Sequence, residues 1–108
     1  MKKTMIVVLL GAGALAAPAM GAEPAALARE KQCYVCHDAT QTWMIGPPFR
    51  DIARRYQAVG DAKATLVRVI QSGTEGHWAA SKMPAQSRRE PLSKEESEVL
   101  AEYVLSFE

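Results

Sequence analysis

Cysteine is almost missing from this chain: Cys33 and Cys36 are present and no third follows. A scaffold stapled by several disulfides is therefore excluded, and so is a four-cysteine zinc site. Histidine is as scarce, with His37 and His77 alone, so no second ligand pair completes a zinc site. Long apolar runs are missing too. The longest starts at Met5 and ends near Ala17, with Pro18 behind it, short of the ~20 residues that span hydrocarbon. Charge of one sign does not dominate. A net charge of +1 lacks the basic footprint of a nucleic-acid binder. No repeat or low-complexity tract occurs, and no alternating segment reads as a strand.

The first residues resemble a leader rather than part of a fold. Lys2 and Lys3 precede the apolar run, and Ala17, Ala19, Gly21 and Ala22 supply small residues after it. That is the layout of a secretory signal peptide over residues 1–22, cleaved after Ala22 or, as the lesser option, after Ala19. Removing 22 of the 108 residues leaves 86, with 11 basic side chains against 12 acidic. Residues 23–108 thus form one small domain, near the lower limit for a self-sufficient core. Export makes the two thiols puzzling. They would be oxidised outside the cytosol, yet a disulfide across two residues closes too small a loop to stabilise much.

The rest of the chain reads as helical. Pro24 suits a first helical turn, and AALAREKQ carries that helix into Cys33. Gly46-Pro47-Pro48 breaks regular structure. Residues 50–57 form a short amphipathic helix with Ile52, Ala53 and Tyr56 on one face. Residues 62–73 form another with Leu66, Val69 and Ile70, stopped at Gly73. A loop is expected over 74–92, far longer than ordinary connections and so a functional candidate. Ser93 and Glu96 mark a capping box. The helix they open places Val99, Leu100, Tyr103, Val104 and Phe107 on one stripe. The fold class is all-α.

Cys33-Tyr34-Val35-Cys36-His37 is the attachment signature of c-type haem. Two intervening residues let both sulfurs reach the two vinyl groups on one porphyrin edge as thioethers, and the next residue aims its imidazole at iron. A thioether cannot be scrambled by an oxidising compartment, which resolves the puzzle of the thiols. A thioredoxin-like motif would need a βαβ context, which is absent. The iron's other face can stay open or take a second ligand, and in electron-transfer cytochromes Met is the common choice. Only Met44 and Met83 follow the leader. Met44 lies too near His37 to cross to the opposite face, so Met83, stiffened by Pro84, is expected as ligand. His77 is its rival, and an ordinary structural methionine is the plain alternative.

CYVCH, GPPF, GTEGHW, KMP and the final YVLSF follow one another in an order that resembles the small class I cytochromes c of bacterial periplasms. The similarity covers nearly all of residues 23–108. It implies a class I cytochrome c fold, four or five short helices wrapped around one covalently bound haem. It implies that the Pro47 carbonyl accepts a hydrogen bond from His37, and that Trp78 packs on the haem and donates to a propionate. It also implies that Gln86 stands where an amide donates to the Met sulfur, and that Phe49 packs on the ring. Trp43 is expected to be core filler. Three positions depart from the family: Val69 replaces a basic residue near the propionates, Ala85 a second proline, and the link before the last helix is longer and carries Arg88 and Arg89.

The activity implied is single-electron transfer, not catalysis. The implied partners are redox proteins: a membrane cytochrome complex as donor, and a terminal oxidase or nitrite reductase as acceptor. The expected product is a periplasmic monomer with no nucleic-acid partner and no stable membrane insertion. Lys82, Arg88 and Arg89 form either a basic ring that steers an acidic partner or a solvated charged loop. The alternatives are a haem subunit of a larger dehydrogenase or reductase complex, and a haem enzyme or sensor with an open sixth position. Leu66, Ile70, Val99, Leu100 and Val104 are few for a core of this size. Haem-free protein carrying Cys33→Ala and Cys36→Ala is therefore expected to lack a cooperative unfolding transition in a thermal circular-dichroism scan.

Overall fold

Pro24 begins the first helix, α1 (Pro24–Glu30), where its missing N–H costs nothing. The Glu23 carboxylate caps it, accepting from the backbone N–H of Ala25 and Ala26. The computed structural model describes Gly11, residues 23–78, 81–85 and 90–107; side chains at 75–77 and 81 fall outside that description. The leader and its cleavage point after Ala22 lie outside it too, as do Gln86, Arg88 and Arg89. A single 3-10 turn, Cys33–Val35, follows α1. Then come α2 (Phe49–Tyr56), α3 (Ala62–Ser72), strands β1 (Thr74–Trp78) and β2 (Ser81–Met83), and α4 (Lys94–Leu105). Four α-helices dominate, as the periodicity predicts.

The hairpin is a correction. Residues 74–92 read as a structureless loop, but β1 and β2 pair antiparallel, with Thr74 opposite Met83 and Glu75 opposite Lys82. A register irregularity falls between Glu75 and Trp78. Segments of five and three residues containing Gly76 carry too little alternation to be recognised, and pairing is decided here by tertiary context.

Helix α4 organises the packing, lying against α1, α2 and α3. Its buried face is Ser97, Leu100, Ala101 and Val104, the i, i+3, i+4, i+7 pattern of a helix packed on one side. Val99, Tyr103 and Phe107, which the stripe includes, are half-buried at its margins. One cluster joins Phe49, Ile52, Tyr56 and Leu66 to Ala101 and Val104. A second joins Leu27 and Ala28 to Leu100. Ser97 is fully buried and satisfied: its hydroxyl donates to the Ser93 carbonyl (3.0 Å) and accepts from the Gln71 side-chain amide. Gln71 also donates to the Leu92 carbonyl (3.3 Å), and Lys31 to that of Pro91 (2.8 Å). The end of the long connection is thus fastened to both α1 and α3.

The capping box forms as the sequence predicts. Ser93 Oγ accepts from the Glu96 N–H at 3.0 Å, and Glu96 Oε1 accepts from the Ser93 N–H at 2.9 Å. That backbone donor, with Lys31 Nζ 3.4 Å from the carboxylate, holds the Glu96 carboxyl below the usual range. A depressed folded-state pKa means the Glu96 carboxylate's share of the box is fully present above the unfolded carboxyl value and is lost as pH falls through the folded one. Ser93→Ala, which removes the cap hydroxyl, is expected to cost about 1 kcal/mol in denaturant unfolding at neutral pH, whereas the cost of Glu96→Ala should shrink in strong acid, where the parent's carboxylate is protonated too.

Candidate functional site

The 3-10 turn is closed by Cys36 N–H on the Cys33 carbonyl (3.2 Å) and His37 N–H on the same oxygen (3.0 Å). One tight bend therefore presents both sulfurs and the imidazole. Gln32 enters it with φ +62°, a left-handed conformation costing a side chain about 1–2 kcal/mol. Cys33 and Cys36 are half-buried and not bonded to each other.

Beyond His37 the chain must double back, and Asp38 makes it do so. Asp38 Oδ2 accepts from the backbone N–H groups of Thr40 (3.2 Å), Gln41 (2.9 Å) and Thr42 (3.1 Å). These donors hold its carboxyl below the ordinary range. Gly46 N–H then reaches the Cys36 carbonyl at 2.8 Å. A Cβ on Gly46 would lie 2.7 Å from His37 Cε1, so only glycine lets the backbone approach the ring this closely. Immediately after it, the Pro47 carbonyl oxygen lies 2.7 Å from His37 Nδ1. A carbonyl only accepts, so Nδ1 carries the proton and the lone pair is on Nε2. Phe49 stacks on the same imidazole, with centroids 5.4 Å apart and planes at 26°.

The opposite wall comes from the hairpin. Gly73 ends α3 at φ 74°, ψ 179°, a region open essentially to glycine alone. A Cβ there would meet the Met83 carbonyl oxygen at 2.2 Å. The start of β1 and the end of β2 are thus pressed together at the residue before Thr74. Met83 is half-buried and faces the pocket.

Cys33, Cys36, His37, Pro47, Trp78 and Met83, the six residues singled out from the sequence, all line one pocket. Counting its open mouth the space is about 1130 Å³. Phe49, Ile52, Leu66, Val69, Ile70 and Leu100 supply apolar wall. Val69, which the resemblance marks as a departure, is one of these lining residues. Among the described residues no three His, Cys, Asp or Glu gather to hold a bare metal ion.

A cytochrome c profile matches residues 22–108. The chain belongs to the cytochrome c family. It is 38% identical over 108 residues to cytochrome c-551 of Stutzerimonas stutzeri, covering 99% of both chains. It is 33% identical over 107 residues to cytochrome c-552 of Hydrogenobacter thermophilus, covering 99% of both. The crystal structure of wild-type Nitrosomonas europaea cytochrome c552 superposes with a TM-score of 0.71 at 31% identity, over 78% of this chain and 99% of that one. This is a small monohaem class I cytochrome c, an electron carrier with one haem c attached through Cys33 and Cys36. Two cysteines with no disulfide between them and an imidazole, all lining an apolar slot, fit that group.

Three features of the cytochrome escape sequence reading. Trp43 is no core filler: it is 48% exposed, donates from Nε1 to Asp51 Oδ2 (3.1 Å) and sets its edge on Trp78. A bend between glycine-poor segments has no periodicity, so its burial could not be inferred. Tyr34, an aromatic inside the attachment motif, pairs with Tyr103, their hydroxyl oxygens 2.7 Å apart. Burial first, then this hydrogen bond, pushes the Tyr34 phenol well above its ordinary value. Arg55 lies with its guanidinium carbon 4.4 Å from the Trp78 ring centroid. The side chain of His77, the rival ligand, falls outside the description. Gly73→Ala combines a forbidden dihedral with a backbone collision and is expected to cost about 2 kcal/mol or more in denaturant unfolding of the holoprotein.

Proposed function

We propose that this cytochrome is a periplasmic shuttle whose haem iron is held between His37 Nε2 and the Met83 sulfur. The observation carrying the reading is the convergence of His37 and Met83 on one apolar pocket, with His37 fixed by Pro47, Gly46 and Phe49. When bound, the haem supplies a reversible one-electron couple. The chain's own work is to hold and tune it. The Pro47 carbonyl fixes the His37 tautomer and strengthens it as a ligand. A thioether at Met83 favours the ferrous state. Two protein ligands leave no position for a substrate, so the chain acts as carrier rather than enzyme.

Trp78, half-buried on the pocket wall, is assigned to a haem propionate. Residues 1–22 are the cleaved export signal and 23–108 the working domain. No described helix is long and apolar enough to cross a membrane. On this reading the protein is a monomer that diffuses between a membrane cytochrome complex and a terminal oxidase or nitrite reductase. Val35, Met44 and Ile45 stand exposed beside the attachment turn, an apolar rim suited to brief contact with such partners. Oxidised protein is expected to show the weak near-infrared band of iron–sulfur ligation. Met83→Ala should abolish it and let carbon monoxide bind the reduced protein readily at neutral pH. A band that survives the substitution overturns the ligand assignment.

A further inference from the structure

We infer that Trp43 and Arg55 are positioning residues that clamp Trp78 from two sides and so hold the Met83 hairpin closed over the cofactor. The inference rests on the reading of Met83 as iron ligand. Three separate segments meet at this point. Trp43 belongs to the irregular stretch between His37 and α2, Arg55 to α2, and Trp78 to the end of β1. The Trp43 and Trp78 rings meet edge to face, with centroids 5.7 Å apart and planes at 60°. Arg55 covers the Trp78 ring at 4.4 Å. Asp51, one turn before Arg55 on α2, accepts the Trp43 indole N–H at 3.1 Å and fixes that ring's direction.

The geometry gives an exposed indole a purpose. Among the described residues, Trp78 is the hairpin side chain that packs against the larger core cluster. β2, which bears Met83, is joined to the body through its pairing with β1 and through the Gly73 contact. A swing of the paired hairpin as a unit, carrying Met83 away from the pocket, would therefore pull Trp78 from its seat, and both Trp43 and Arg55 resist that. The clamp also bridges the wall carrying His37 to the wall carrying Met83. Aromatic edge contacts and cation–π contacts are individually weak, so the clamp is reversible rather than a lock.

Imidazole competes with a weakly held sulfur for ferric iron, so its affinity reports how readily the hairpin opens. Oxidised holoprotein is titrated with imidazole, following the Soret and near-infrared bands. Trp43 and Arg55 are exposed, so Trp43→Ala and Arg55→Gln leave the core intact. Each is expected to raise imidazole affinity roughly threefold to tenfold, with the double variant higher still. Trp43→Phe, which retains a ring edge, should restore most of the resistance. A double variant that keeps the sulfur band but binds imidazole like the parent overturns the clamp while leaving Met83 ligation standing. A parent protein without the sulfur band overturns Met83 ligation, and the clamp with it.

Discussion

Two sulfurs and an imidazole must meet one flat ring from a single five-residue stretch, and everything else follows from that demand. The 3-10 turn at Cys33–Val35 meets it by hanging two N–H groups on one carbonyl oxygen, that of Cys33. Such curvature needs a reversal just ahead, and Gln32 adopts it at φ +62° despite its side chain. Because the turn comes early, the rest of the chain can be built around it. Asp38 bends the path back through three backbone donors, and Gly46 and Pro47 then arrive against the imidazole from behind.

Helix α4 answers a second need. A domain with so few buried apolar side chains must bury its cofactor pocket against something rigid. The last helix, well capped at Ser93 and Glu96, contacts every other helix. Its Leu100 and Val104 serve both the protein core and the pocket wall. Lys31 and Gln71 tie the end of the long connection to this helix, which keeps the entry into α4 fixed behind the hairpin.

Helices were legible because their signals are local. Pro24, the Gly73 stop, the Ser93–Glu96 box and the 3.6-residue spacing in α2, α3 and α4 each act within a turn or two of chain. The cofactor site was equally legible at Cys33, Cys36 and His37, where spacing itself is the chemistry. What stayed hidden depends on residues far apart in sequence. β1 and β2 are too short to alternate. The Tyr34–Tyr103 pair spans most of the domain, and Trp43 gains its place only from Asp51 and Trp78. Gly46 and Gly73 could be read as breakers of structure, but their closeness to the His37 ring and the Met83 carbonyl needed coordinates.

The hydrogen-bonded phenols beside the attachment turn have a quieter consequence. Burial and the hydrogen bond to its partner push the Tyr34 phenol well above its ordinary value, so this side chain adds no negative charge of its own as the surroundings turn alkaline. The energy of adding an electron to a nearby centre depends on every charge around it. A phenol that stays neutral at Tyr34 spares the carrier one source of drift in that energy.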